Sequence, residues 1–201
     1  MKLYKFISYI FHPVLTPIVC TLLYFIIIPN HIPRKFAYWV LIIVFVTTYI
    51  FPLLLLYFLK KVKLIENYQL SSINERKFPI FFFTSVTLFL GIRLLKFNII
   101  DLLAFSFFGC ALALSISFIL LFIKIKTSLH TLGISGLIGF ISIISYEYKL
   151  NLLILLILLF LLFGIVATSR LKLNAHTMSE IFIGLIIGFT SQLIIYFSNV
   201  L

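Results

Sequence analysis

Ser169-Arg170, then His176 after five residues, then Glu180 after three more, bring a hydroxyl, a guanidinium, an imidazole and a carboxylate into one short stretch. A carboxylate four residues after a histidine lies one helical turn along the same face, close enough to accept a ring N–H and fix the tautomer. The other ring nitrogen then keeps a free lone pair. Such a nitrogen can attack phosphorus, while an arginine beside it forks onto the phosphoryl oxygens and neutralises the charge that develops there. Plainer readings exist: Glu180 as an acid complementing a helix dipole, and His176 as an interfacial histidine beside a snorkelling arginine. Taken together the four residues are a phosphate-handling set, placed in a polar hinge between two apolar runs, Leu150 to Ala167 and Ile181 to Phe197.

Two further places carry compatible chemistry. In Lys126-Thr127-Ser128-Leu129-His130 a second imidazole is available as a general acid for a leaving oxygen. Ser128, at the start of an apolar run, offers a hydroxyl and a backbone N–H to an anion at a helix N-terminus, or simply caps that helix. Arg76, in Asn74-Glu75-Arg76-Lys77-Phe78-Pro79, joins Arg170 and Lys126 as a cationic cradle, or serves as a basic anchor at a membrane boundary.

Ser169-Arg170-x5-His176-x3-Glu180 resembles the third signature of the type 2 phosphatidic acid phosphatase superfamily, Ser-Arg-x5-His-x3-Asp, with Glu180 in place of Asp. Ser128 and His130 keep the serine–histidine spacing of the family's Pro-Ser-Gly-His signature, without its proline and glycine. Arg76 and Pro79 are the counterpart of its Lys-x6-Arg-Pro signature, where Gln69 stands at the lysine position and Lys77 is the nearest substitute. The resemblance implies a membrane lipid phosphatase with a helical core usually described as six helices. It implies His176 as nucleophile, oriented by Glu180, and His130 as general acid. Ser169, Arg170, Arg76, Lys126, Ser128 and Lys77 are then the phosphate-binding set. The substrate implied is a lipid phosphomonoester or a polyprenyl diphosphate such as undecaprenyl diphosphate, a place in phospholipid metabolism. The alternative is an inactive lipid-phosphate binder acting as scaffold, carrier or complex subunit; a small transporter is a third reading.

These residues need a frame, and composition supplies it. The chain has 201 residues, 63% hydrophobic and 10% charged, which is more apolar surface than one soluble core can hide. The expectation is an all-α, polytopic transmembrane bundle of six to seven helices, a single integral membrane domain over residues 1–201, in a bacterial inner membrane. Lys2 and Lys5 precede an apolar run as in a signal peptide, but Pro13, Pro17 and the lack of a small-x-small site argue for a retained helix. A net charge of +11 carried in short connections points to anionic lipid headgroups rather than nucleic acid. Cys20 and Cys110 read as packing thiols. Glu66, Glu75, Asp101, Glu147 and Glu180 are too scattered for a two-metal phosphatase site, so metal-independent hydrolysis through a phosphohistidine, with no cofactor, is expected.

Apolar runs extend over Phe6–Ile28, Phe36–Leu59, Pro79–Leu95, Ile99–Ile123, Leu129–Tyr146, Leu150–Ala167 and Met178–Phe197, each near the ~20 residues that cross ~30 Å of hydrocarbon. Two crossings separate each motif region from the next, so all three fall on one side and can converge. Which side is open: eleven of the sixteen Lys and Arg lie there, but setting aside Arg76, Lys77, Lys126, Arg170 and Lys172 leaves six against five. Gly133, Gly136 and Gly139, with Gly184 and Gly188, permit close helix contact, read first as packing inside the bundle. Oligomeric state is open.

Overall fold

A computed structural model describes all residues except 29–31, 67, 69, 71, 98–99 and 201, and the side chains of 199 and 200. Gln69, at the position of the family's lysine, and Ile99, the start of the fourth apolar run, therefore lie outside the described residues. Among those described the chain is helical, and seven helical stretches are long and apolar enough to cross a membrane. The protein is an all-α integral membrane protein.

The first stretch is broken where Pro13 interrupts it. Helix α1 (Lys2–Ile10) ends before a 3₁₀ turn (Pro13–Leu15), and α2 (Thr16–Ile27) follows. The second stretch is helix α3 (Arg34–Phe45), a π turn (Val46–Ile50) and α4 (Phe51–Lys61) in series. The π turn has a local cause: Pro52 has no N–H to donate, and Thr47 and Thr48 bond back to the carbonyls of Ile43 and Val44 at 2.7 and 2.8 Å.

Helix α5 (Ile73–Leu95) begins six residues earlier than the apolar run. Ser72 accepts from the backbone N–H of Glu75, and the Glu75 carboxylate accepts from Ser72 N at 3.2 Å, a capping box that starts the helix ahead of Arg76. The first motif region is thus helical rather than a loop. Helices α6 (Asp101–Phe122) and α7 (Leu129–Glu147) follow, then α8 (Leu153–Lys172) and α9 (Met178–Val200).

Helix α7 is the centre of the bundle, packed on α9, α8 and α2, with α6 closing against α5 and α9. Its neighbour α9 approaches closely because Gly184 and Gly188 lack side chains. A Cβ on Gly184 would come within 2.6 Å of Thr131 Oγ1, and one on Gly188 would overlap Ser135 Oγ and the Leu132 carbonyl. Thr131 and Ser135 use that proximity, donating across to the carbonyls of Ile181 and Gly184 at 3.3 and 3.1 Å. These glycines serve contacts inside one chain.

Candidate active site

The linker between α8 and α9 explains the spacing of the third motif. Helix α8 continues past the apolar run to Lys172, so Ser169 and Arg170 lie in its last turn rather than in a hinge loop. Asn174 takes a left-handed φ of 50°, its N–H donates to Leu171 O, and Ala175 N–H donates to Arg170 O, a Schellman closure that reverses the chain within a few residues. The next helix starts at once. Thr177 Oγ1 accepts from Glu180 N–H at 3.3 Å and the Glu180 carboxylate accepts from Thr177 N–H at 3.4 Å. Five residues between Arg170 and His176 are therefore one helix stop and one helix start.

Glu180 has a second task. Its Oε2 accepts from His176 Nδ1 at 2.5 Å. A carboxylate can only accept, so Nδ1 carries the proton and Nε2 presents its lone pair, with no partner among the described residues. His176 is 7% exposed. Burial holds its pKa down at about 4, with Arg76 and Arg170 adding to the effect against the pull of Glu180. The imidazole is neutral at physiological pH.

Around it lies one cavity of about 660 Å³ whose lining includes Arg76, His130, Arg170 and His176. Arg76 and Arg170 are each 5% exposed. The two are held differently. Arg76 Nε donates to Leu70 O at 2.8 Å, and Nη1 donates to Thr127 O at 3.0 Å, which ties the start of α5 to the loop before α7. Arg170 Nε is buried without any acceptor among the described residues. A buried, permanently charged donor left unpaired is costly, so this guanidinium is set up for an anion that enters the cavity.

His130 enters from the first turn of α7. Its Nε2 stands 3.1 Å from the backbone carbonyl of Ser8, which can only accept, so that nitrogen bears the proton. Helix α1 thus covers the second histidine. Ser169 Oγ donates to Tyr4 O at 2.7 Å and accepts from Ser8 Oγ at 3.0 Å, so its hydroxyl docks α1 on α8 and does not line the cavity.

The remaining members of the phosphate-binding set divide. Ser128 is fully buried, does not line the cavity, and its N–H is spent on the Glu180 carbonyl at 3.2 Å; its hydroxyl has no partner among the described residues. It makes no capping bond either. Lys77 stacks its ammonium over the Phe122 ring at 5.3 Å, and Lys126 is half-buried; neither lines the cavity. The loop before α7, which has neither proline nor glycine over residues 124–128, is held by Arg76 through Thr127 O.

Sequence reasoning passed over His12. It follows α1, accepts weakly from Val14 N–H at 3.4 Å through Nδ1, and sets its ring edge-on to His130 with centroids 5.6 Å apart. The signal was His12-Pro13 inside an otherwise apolar run, a pair that breaks the helix and turns α1 across the motif face. Lys5 also lines the cavity from α1.

The cavity has a second, apolar part. Leu53 and Tyr57 of α4 line it and are also exposed, and on a membrane-spanning helix an exposed face meets lipid. Among the described residues no cluster of three or more His, Cys, Asp or Glu is placed to hold a metal ion. No family model, no curated protein and no solved structure matches the chain.

Proposed function

We propose that the protein is a membrane lipid phosphatase acting on a lipid phosphomonoester or polyprenyl diphosphate through a phosphohistidine. The observation that carries this reading is the meeting of two buried guanidiniums, one with its Nε unpaired among the described residues, with a neutral histidine whose Nδ1 is fixed by Glu180 and whose Nε2 has no partner among them. The resemblance of Ser169 to Glu180 to the third signature of the type 2 phosphatidic acid phosphatases points the same way.

In the first step the terminal phosphoryl group sits between Arg76 and Arg170, and Nε2 of His176 attacks phosphorus. The P–N bond forms as the P–O bond to the lipid breaks, and the departing oxygen takes a proton from His130, which enters this step as the imidazolium, charged beside the bound phosphate, and leaves it neutral. Positive charge on the His176 ring is met by Glu180, and negative charge on the equatorial oxygens by the guanidiniums. In the second step water attacks the phosphohistidine, neutral His130 takes its proton, and the P–N bond breaks to release inorganic phosphate.

A second reading has its own observation: His130 Nε2–H is engaged by Ser8 O, so the acid is available only if α1 yields. In that reading the protein binds lipid phosphates without turning them over. The deciding experiment offers purified protein phosphatidic acid, phosphatidylglycerophosphate, undecaprenyl diphosphate and lipid A, and measures both phosphate release and binding. Release that disappears in His176→Ala supports the phosphatase; saturable binding with no release in any lipid refutes it in favour of the binder.

A further inference from the structure

About two-thirds of the way along α9, Gln192 places a carboxamide in the membrane interior, 6% exposed and on the wall of the same cavity. Its Nε2 donates to Ser106 O on α6 at 3.2 Å, while its Oε1 accepts from no described residue. The bundle is shaped around it. A Cβ on Gly109 would stand 2.7 Å from the Gln192 carboxamide, so the glycine gives that side chain the room it occupies. A polar group of this kind in hydrocarbon is costly and is retained for a task.

Its position gives the task. The basic end of the cavity is at Arg170, His176 and His130, and the lining continues along α7 to Gly136 and Leu137, roughly 9 Å further at 1.5 Å per residue. Walls between the two ends are mostly apolar side chains. An amphiphile whose anionic head meets the guanidiniums would lay its chain along this arm and arrive at Gln192.

We propose that this arm is a subsite for one hydrocarbon chain of the phosphorylated ligand, and that Gln192 at its floor limits the length of chain accepted. The inference rests on the basic end holding a phosphate. A short chain leaves space for water at Oε1; a chain that reaches the floor strips that water and leaves the oxygen facing methylenes. Each added methylene strengthens binding about fourfold until the floor is reached, and then the gain stops.

Calorimetric titration of the purified full-length protein with n-alkyl phosphates from butyl to hexadecyl reads this directly. Partitioning of the probe into detergent is common to all variants, so the ratio of variant to wild type at each length isolates the cavity. Gly136→Ala is the mild variant, since its new Cβ would meet Gly188 O at 3.6 Å and Gln192 Nε2 at 3.8 Å, ordinary contact distances. It should bind butyl phosphate like wild type but stop gaining at a shorter chain. Gln192→Leu should go on gaining beyond the wild-type limit. Identical length profiles in all three proteins, or a wild-type profile with no limit, would overturn the proposal. If n-alkyl alcohols bind as tightly as the phosphates yet show the same limit in the same variants, the chain subsite stands and the phosphate-head reading falls.

Discussion

Glu180→Gln separates chemistry from folding at this site. Glutamine at the third helical position still completes the capping box with Thr177, so the start of α9 is preserved. What it removes is the charge 2.5 Å from His176 Nδ1. A unit charge about 4 Å from the centre of the ring is worth about 4 kcal/mol at an effective dielectric near 20. If half the positive charge has developed on the ring in the transition state, about 2 kcal/mol is lost, a factor near 30 in rate. A second loss comes from the tautomer. The new amide can donate to Nδ1, which moves the ring proton to Nε2 and blocks the lone pair that attacks, a further tenfold or so. The expected fall in kcat/KM for phosphate release is therefore ~10² to 10³, with a thermal midpoint within a few degrees of wild type. Initial rates over a range of lipid concentrations, paired with a thermal melt on the same preparation, give both numbers. A loss under threefold, or one that merely follows a loss of folded protein, would refute the assignment of Glu180 as the group that orients His176.

Replacing His176 by Ala should abolish turnover, whereas His130→Ala should slow a lipid phosphomonoester by ~10² to 10⁴ and be partly rescued on p-nitrophenyl phosphate, whose leaving oxygen hardly needs a proton. Because the His176 pKa is lowered from 6.5 to about 4, the unfolded chain binds its proton first as pH falls. Its contribution to stability is complete above pH 6.5 and is lost between 6.5 and 4, and this slope should vanish from the pH dependence of the thermal midpoint in His176→Gln. Ser169→Ala removes both hydroxyl bonds that dock α1 on α8, so it should cost ~1 to 2 kcal/mol and speed proteolytic cleavage within residues 2–12, while lowering kcat far less than Glu180→Gln does. Activity should also persist in excess chelator, since Arg76 and Arg170 supply the positive charge that a metal would bring; a loss restored only by a divalent ion would contradict the mechanism.

Sequence alone determined the class of the molecule and the side-by-side placement of its chemistry. Apolar runs of membrane length are a direct consequence of bilayer thickness, and an even number of crossings between motif regions puts them on one face wherever the exact helix ends fall. The i, i+4 relation of His176 and Glu180 is likewise fixed by local helical geometry. Helix ends were less legible, because caps decide them: the Ser72–Glu75 box extends α5 back over Arg76, and the Schellman closure at Asn174 keeps Arg170 in α8. Tertiary structure decided the rest. Only the packed bundle shows that Arg170 Nε lacks a partner among the described residues while Arg76 has two carbonyls, that Ser169 is spent on α1, and that Ser8 O and His12 cover His130. The contacts of Ser169 and His130 join residues more than a hundred positions apart, and no periodicity or local propensity encodes which donor finds which acceptor across such a distance. That choice is made when the helices pack.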